Sequence, residues 1–141
     1  MKLVIDSNRL FAAFIKKSVS RAILLSKKFE FYAPFEILDE FEKYKDYLIK
    51  KSKTDLITFE SIYISLLEPI YLVSFEKYEK ELESAIKIMY DIDIKDAPFI
   101  AIGLALELDG IWSDDEHFSK QNEIEIYSTS DLWELLKKQS K

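Results

Sequence analysis

Asp6, Asp96, Asp114 and Asp115 stand where apolar segments begin or end, and Glu40 lies within a helical pattern. KLVI (2–5) runs directly into Asp6, IWS (111–113) runs into Asp114 and Asp115, and Asp96 precedes an almost wholly apolar stretch, 97–108. Four carboxylates brought into one crevice repel one another, and at least one takes up a proton unless a cation stands among them. Oxygen donors, with a single His and no Cys in the chain, select Mg²⁺ or Mn²⁺ over Zn²⁺. Such ions keep several waters and take further ligands from substrate phosphates. The chemistry that follows is phosphodiester cleavage by an activated water.

Each acid also has a plainer use. Asp6 can serve as a turn or cap residue, although Ser7, one position on, would cap as well. Asp96 is a good N-cap for 97–108, with Pro98 in the first turn, and capping is compatible with metal binding. Asp114 and Asp115 are turn formers after a strand. Glu40 and Glu42 flank one apolar stripe symmetrically, so helical periodicity does not choose between them, while Glu36 points further into water.

The elements that must position these acids can be read along the chain. KLVI, FEFYA, IYLVSF, IWS and EIEIY read as short strands. Ser7 and Asn8 are expected to cap a helix carrying Leu10, Phe11 and Phe14, and Ser18 or Ser20 to open a second over SRAILLSKKF. Pro34 fits the first turn of a helix to about Lys50, with Ile37, Leu38, Phe41, Tyr44 and Leu48 on one face. Thr54 opens another through about Leu67, which Pro69 stops. EKYEKELESAIKIMY is amphipathic, and residues 97–108 form a helix whose Ala101, Gly103 and Ala105 permit close packing. Ser128 or Ser130 caps a last helix ending in Lys137 and Lys138. Strands that alternate with helices, and are apolar without alternation, predict an α/β fold: a three-layer α/β/α sandwich with a mainly parallel central sheet. Ligands of such sheets sit beyond the carboxyl ends of the strands.

Composition narrows the classes. A chain of 141 residues, 48% hydrophobic, has the size of one domain with one core, expected over 1–141. The absence of Cys excludes thiol catalysis, iron–sulfur ligation and a disulfide scaffold. No run approaches the ~18 uncharged apolar residues of a membrane span, and the opening MKLVIDSNRL meets an acid too early for a signal peptide. A soluble cytoplasmic protein with no membrane partner is expected. The net charge of −6 opposes a simple basic nucleic-acid binder, but not an enzyme whose acids hold cations against phosphates.

The segments VIDSN, APFEILDEFEKY, DIDIKDAPFIAIGLAL and IWSDDEHF, in this order, resemble the PIN domain, a metal-dependent ribonuclease fold. The resemblance spans nearly the whole chain and is strongest to prokaryotic single-domain members, which include the VapC-type toxins. It implies a catalytic set of Asp6, Glu40, Asp96 and Asp115, choosing Glu40 over Glu42. It favours Asp115 over Asp114, because the last motif reads Thr/Ser, any residue, Asp, and Ser113-Asp114-Asp115 matches it. Asp114 is then an additional candidate metal ligand. Asn8 and Ser113 match positions that orient the acids by hydrogen bonding.

The implied reaction is RNA hydrolysis leaving 5′-phosphate and 3′-hydroxyl ends, with one or two Mg²⁺ or Mn²⁺ ions. The implied setting is the toxin of a toxin–antitoxin pair, with RNA as substrate, an antitoxin protein as partner, and a homodimer. The rivals are a catalytically silent PIN-fold binding or regulatory module, and an RNA-processing nuclease that is not a toxin. Arg9, followed by Lys16, Lys17 and Arg21, is a candidate RNA contact. Lys50, Lys51 and Lys53 read as charge compensation at a helix C-terminus. His117, beside the last motif, reads as structural or solvent-facing. Phe29, Phe31, Tyr32, Phe35, Phe41 and Trp112 read as core, and Leu132, Trp133 and Leu136 as a candidate dimer surface.

Overall fold

A computed structural model of the chain describes residues 1–139. Five strands form one wholly parallel sheet: β1 (Lys2–Ile5), β2 (Glu30–Pro34), β3 (Ile70–Val73), β4 (Gly110–Trp112) and β5 (Ile126–Tyr127). Their spatial order is β3-β2-β1-β4-β5. Around them run α1 (Ser7–Ile15), α2 (Val19–Leu25), α3 (Ile37–Ser52), α4 (Leu56–Leu67), α5 (Phe75–Met89), α6 (Ala97–Ala105) and α7 (Thr129–Gln139). Single 3₁₀ turns lie at Ile94–Asp96 and Phe118–Lys120.

Successive strand residues face opposite sides of a sheet, and here both sides are buried. Leu3, Ile5, Phe31, Ala33 and Trp112 join a core with α1, α2, α3, α4 and α7. Val4, Val73 and Ile111 join a second core with α5 and α6. This is the expected three-layer sandwich, and it explains why the strands read as unbroken apolar runs. No helix among the described residues is long and apolar enough to cross a membrane.

Several local expectations are corrected. Pro34 ends β2 instead of opening α3. Phe35 N–H bonds to the Val73 carbonyl, so the Pro34 nitrogen faces the β1 side, where pairing stops at Tyr32 and no donor is required. Phe35 itself, expected in the core, turns out into solvent and is 55% exposed. Asp6, not Ser7 or Asn8, takes the N-cap position of α1. Asp55, not Thr54, caps α4 by accepting the Thr58 N–H at 2.7 Å. α6 ends at Ala105 because Leu108 N–H returns to the Gly103 carbonyl and Glu107 N–H to Leu104. That closure places Glu107 at φ 53°, where glycine is usual. Leu132 lies wholly inside the first core, with Trp133 and Leu136 partly buried against it.

Two glycines let elements meet closely. A Cβ on Gly103 would collide with Ile124, and one on Gly110 would lie 2.6 Å from the Glu125 carbonyl oxygen. Strand order reverses between β1, which leads outward to β2, and β4, which leads outward to β5. A crevice opens at such a reversal, beyond the carboxyl ends of the two strands.

Candidate metal centre

Asp6 leaves β1 at that crevice and is 5% exposed. Its N–H bonds to the Trp112 carbonyl at 3.1 Å, which fixes it beside the end of β4. Ser113, buried, donates its Oγ–H to Asp6 Oδ2 at 2.8 Å and accepts the Asp115 N–H at 3.0 Å. One hydroxyl therefore joins the ends of two strands and sets Asp6 and Asp115 side by side. Asn8 contributes its backbone N–H toward the Asp6 carboxylate, while its exposed side chain lines a neighbouring groove.

The electrostatics show how crowded the crevice is. Burial pushes the Asp6 carboxyl above its ordinary range; the bond from Ser113 and the nearby backbone N–H of Asn8 oppose this, Asp115 adds to it, and Arg9 opposes it. Asp96, half-buried ahead of α6, is pushed up to about 7, first by burial and then by Asp93, Asp6 and Asp115, with His117 opposing. Asp6, Asp96 and Asp115 thus act on one another as the strand-end reading requires.

Glu40 sits in the first turn of α3, half-buried, and accepts the Ser7 Oγ–H at 2.8 Å. Glu42 is exposed, so packing separates two acids that periodicity did not. Asp114 is differently engaged from its neighbour. It accepts the Thr129 N–H at 2.7 Å and the Thr129 hydroxyl at 2.6 Å, and pairs with Arg9 Nη1 at 2.8 Å. These bonds tie the exit of β4 to the start of α7, and Arg9 is committed to that junction. Arg21 is also committed: it donates to the Ala13 and Phe14 carbonyls at 2.7 and 3.3 Å, closing the end of α1.

One member of the cluster, Asp93, went unread in the sequence, and a second, His117, expected to be structural or solvent-facing, stands among the acids. Asp93, Asp96 and His117 each bring a ligand atom to within 4.8 Å of the others, a group that can hold a metal ion. His117 Nδ1 lies 3.5 Å from Asp115 Oδ1 and 3.6 Å from Asp93 Oδ2. It is buried without a hydrogen-bond partner. A ring nitrogen aimed between carboxylates, and bonded to neither, fits a cation among them. The signal for Asp93 was its spacing: residues i and i+3 eclipse on a 3₁₀ turn, so DIDIKD sets Asp93 under Asp96. His117 is turned back by its own N–H, which bonds to Asp115 Oδ1 at 2.9 Å.

Compared with models of known families, residues 4–132 match that of the PIN domain. The chain belongs to the PIN-domain family. No curated protein matches it. PIN domains are generally nucleases and typically use a divalent metal. In this PIN domain the acids that could hold such an ion gather at the reversal of strand order, where the fold places its ligands.

Proposed function

We propose that the protein is a Mg²⁺- or Mn²⁺-dependent endoribonuclease of the VapC-like type, the toxin of a toxin–antitoxin pair. The observation that carries the reading is the gathering of Asp6, Asp96 and Asp115 in one crevice, where burial first, and then the charges of Asp93, Asp6 and Asp115, push Asp96 up to about 7. Acids forced together against their own repulsion make sense as a cation site. Asp6, Asp96 and Asp115 would hold the ion, with Asp93 and His117 in reach of it. When bound, such an ion supplies an activated water and neutralises the charge of the scissile phosphate.

The remaining work falls to the chain itself. Ser113 keeps Asp6 and Asp115 aligned, so neither carboxylate must be ordered when substrate arrives. Ser7, next to Asp6, fixes Glu40 Oε2, leaving the other oxygen free to accept a proton. Asp114, through Arg9 and Thr129, keeps the loop after β4 in place. An antitoxin that presents an arginine to the acidic crevice would supply charge of the same sign as the ion and displace it.

The test is cleavage of an end-labelled, mixed-sequence RNA with Mg²⁺, Mn²⁺ or EDTA, by the native chain and by Asp96→Asn. Metal-dependent cutting that EDTA and the substitution both abolish is expected. A folded protein that binds Mn²⁺ but cuts no RNA would replace the enzyme by a regulatory module. Absence of both cutting and metal binding would remove the shared acidic site.

A further inference from the structure

Beside the acidic centre, α1 and α3 enclose a groove of about 410 Å³, lined by Asn8, Phe11 and Ile15 on one wall and by Glu40, Tyr44 and Tyr47 on the other. Tyr47 is also the boundary of a second groove, of about 560 Å³, whose other lining residues are Lys50, Lys51 and Lys53. The two form one path. Glu40, Tyr44, Tyr47 and Lys51 stand at i, i+4, i+7 and i+11 on α3, a single helical stripe about 16 Å long. The path therefore begins at Glu40, which is tied to the residue after Asp6 through Ser7, continues over two tyrosines, and ends on cations.

The tyrosines are not there for packing alone. Phe41 and Leu48 of the same helix are buried, whereas Tyr44 and Tyr47 are 41% and 56% exposed. The Phe11 ring, 5.8 Å from that of Tyr44, supports it from below. Lys43 Nζ lies over the Tyr44 ring, 5.6 Å from its centre, adding a cation to the path. Among the described residues, Lys50, Lys51 and Lys53 form no ion pair with an acid, whereas Lys45 on the far side of α3 is paired with Glu60 at 2.8 Å. In a chain of net charge −6, three free lysines at the end of an aromatic path are a local reversal of sign.

We propose that this path is the track of a single nucleic-acid strand leaving the acidic centre, with bases stacked on Tyr44 and Tyr47 and the following phosphates on Lys50, Lys51 and Lys53. Stacking faces alternating with backbone cations are how single strands are held without sequence readout. An apolar helix of a protein partner would want the lysine end uncharged or acid-facing; a polyanion uses it as it stands. The proposal rests on the nuclease reading only in placing the scissile bond at the Glu40 end.

The experiment measures fluorescence anisotropy of a labelled 12-nucleotide single-stranded RNA, and of the DNA of the same sequence, binding to the full chain carrying Asp96→Asn so that the strand survives. Tyr47→Ala is expected to weaken binding roughly tenfold or more and Tyr47→Phe less than about threefold, because a phenyl ring still stacks. Lys50→Gln with Lys51→Gln is expected to lower the slope of log affinity against log salt by about 1.4. RNA and DNA binding alike would assign the track to the shared backbone and bases; preference for RNA would add a sugar contact.

A parent that binds neither strand, or a Tyr47→Ala variant with native circular dichroism that binds as well as the parent, would overturn the track. Cleavage by the native chain, assayed in parallel, keeps the two readings apart. Cutting with an unchanged KM in Tyr47→Ala refutes the track alone. Tyr47-dependent binding without cutting refutes the nuclease alone.

Discussion

The two ends of the sheet carry acids of the same kind in opposite circumstances. At the amino end, Asp109 accepts the Lys2 N–H at 2.7 Å, and Glu30 lies 4.0 Å from Lys2 Nζ and accepts the Tyr32 hydroxyl at 3.2 Å. These groups are exposed and each has a donor partner. At the carboxyl end Asp6 is buried, Asp96 and Asp115 are half-buried, and Asp93, Asp6 and Asp115 all press on Asp96. The amino end shows how this chain treats an acid that serves only the fold: it leaves it in water. The carboxyl end departs from that practice, which is the physical mark of a site built for a charge that comes from outside.

The sharpest break of this contrast is Asp6→Asn. It keeps the size of the side chain and its place beside Ser113 but removes one charge from the centre. Loss of RNA cleavage by at least about a hundredfold is expected, measured as a single-turnover rate with saturating Mn²⁺. A rate within a factor of a few of the native chain would show that the carboxyl end is no catalytic centre. Ser113→Ala should follow with a smaller effect. It leaves every acid present but unfastens Asp6 from Asp115, and an outer-shell loss of about 10–100-fold in Mn²⁺ affinity or activity is expected. Isothermal titration with Mn²⁺ measures it; an unchanged affinity would mean that the strand ends align the acids without the hydroxyl.

A pH prediction sharpens the same comparison. The folded-state pKa of Asp96 is raised to about 7 from the ordinary 3.8, so the folded chain holds a proton that the unfolded chain has released. Its contribution to stability is whole below about pH 4 and is lost as pH rises through about 7. Asp6 is shifted in the same direction. In EDTA the chain should therefore melt lower at pH 7.5 than at pH 5.5. Mn²⁺ binds the ionised carboxylates, so its stabilisation should be larger at pH 7.5. Melting curves at the two pH values, with and without Mn²⁺, check both signs, and Asp96→Asn should reduce both differences.

What was legible in the sequence was what short-range pattern encodes. Unbroken apolar runs gave a parallel sheet because both of its faces are buried, and an acid directly after such a run marked a strand's carboxyl end. Ser113 was legible by its place in a motif. The rest depends on distant partners. Ser7 looked like a cap, but its hydroxyl goes to Glu40, thirty-three residues on. Phe35 looked like core because aromatics usually are, but β2 ends at Pro34 and the turn points the ring outward. Asp114 and Asp115 are adjacent and identical in type, yet the carboxylate of one goes to Arg9 and Thr129 and that of the other accepts the His117 N–H. His117 acquired a role only because a turn at Asp115 folds its ring toward Asp93. Lys50, Lys51 and Lys53 read as compensation for a helix end until Tyr47 joined their groove to the centre.

The smallest expected effect is at the amino end, and it calibrates the others. Asp109→Asn removes one charge, as Asp6→Asn does, but from an exposed carboxylate whose partner is the Lys2 N–H. The amide oxygen can still accept that bond, and water solvates what remains. A stability change within about 0.5 kcal/mol and a cleavage rate within about twofold of native are expected, read by chemical denaturation and by the same single-turnover assay. If Asp109→Asn instead lowers the rate as much as Asp6→Asn, the acids would be acting through total charge on a polyanionic substrate. The distinction between the two ends of the sheet would then vanish. If it leaves the rate alone, the loss in Asp6→Asn belongs to position and not to charge count.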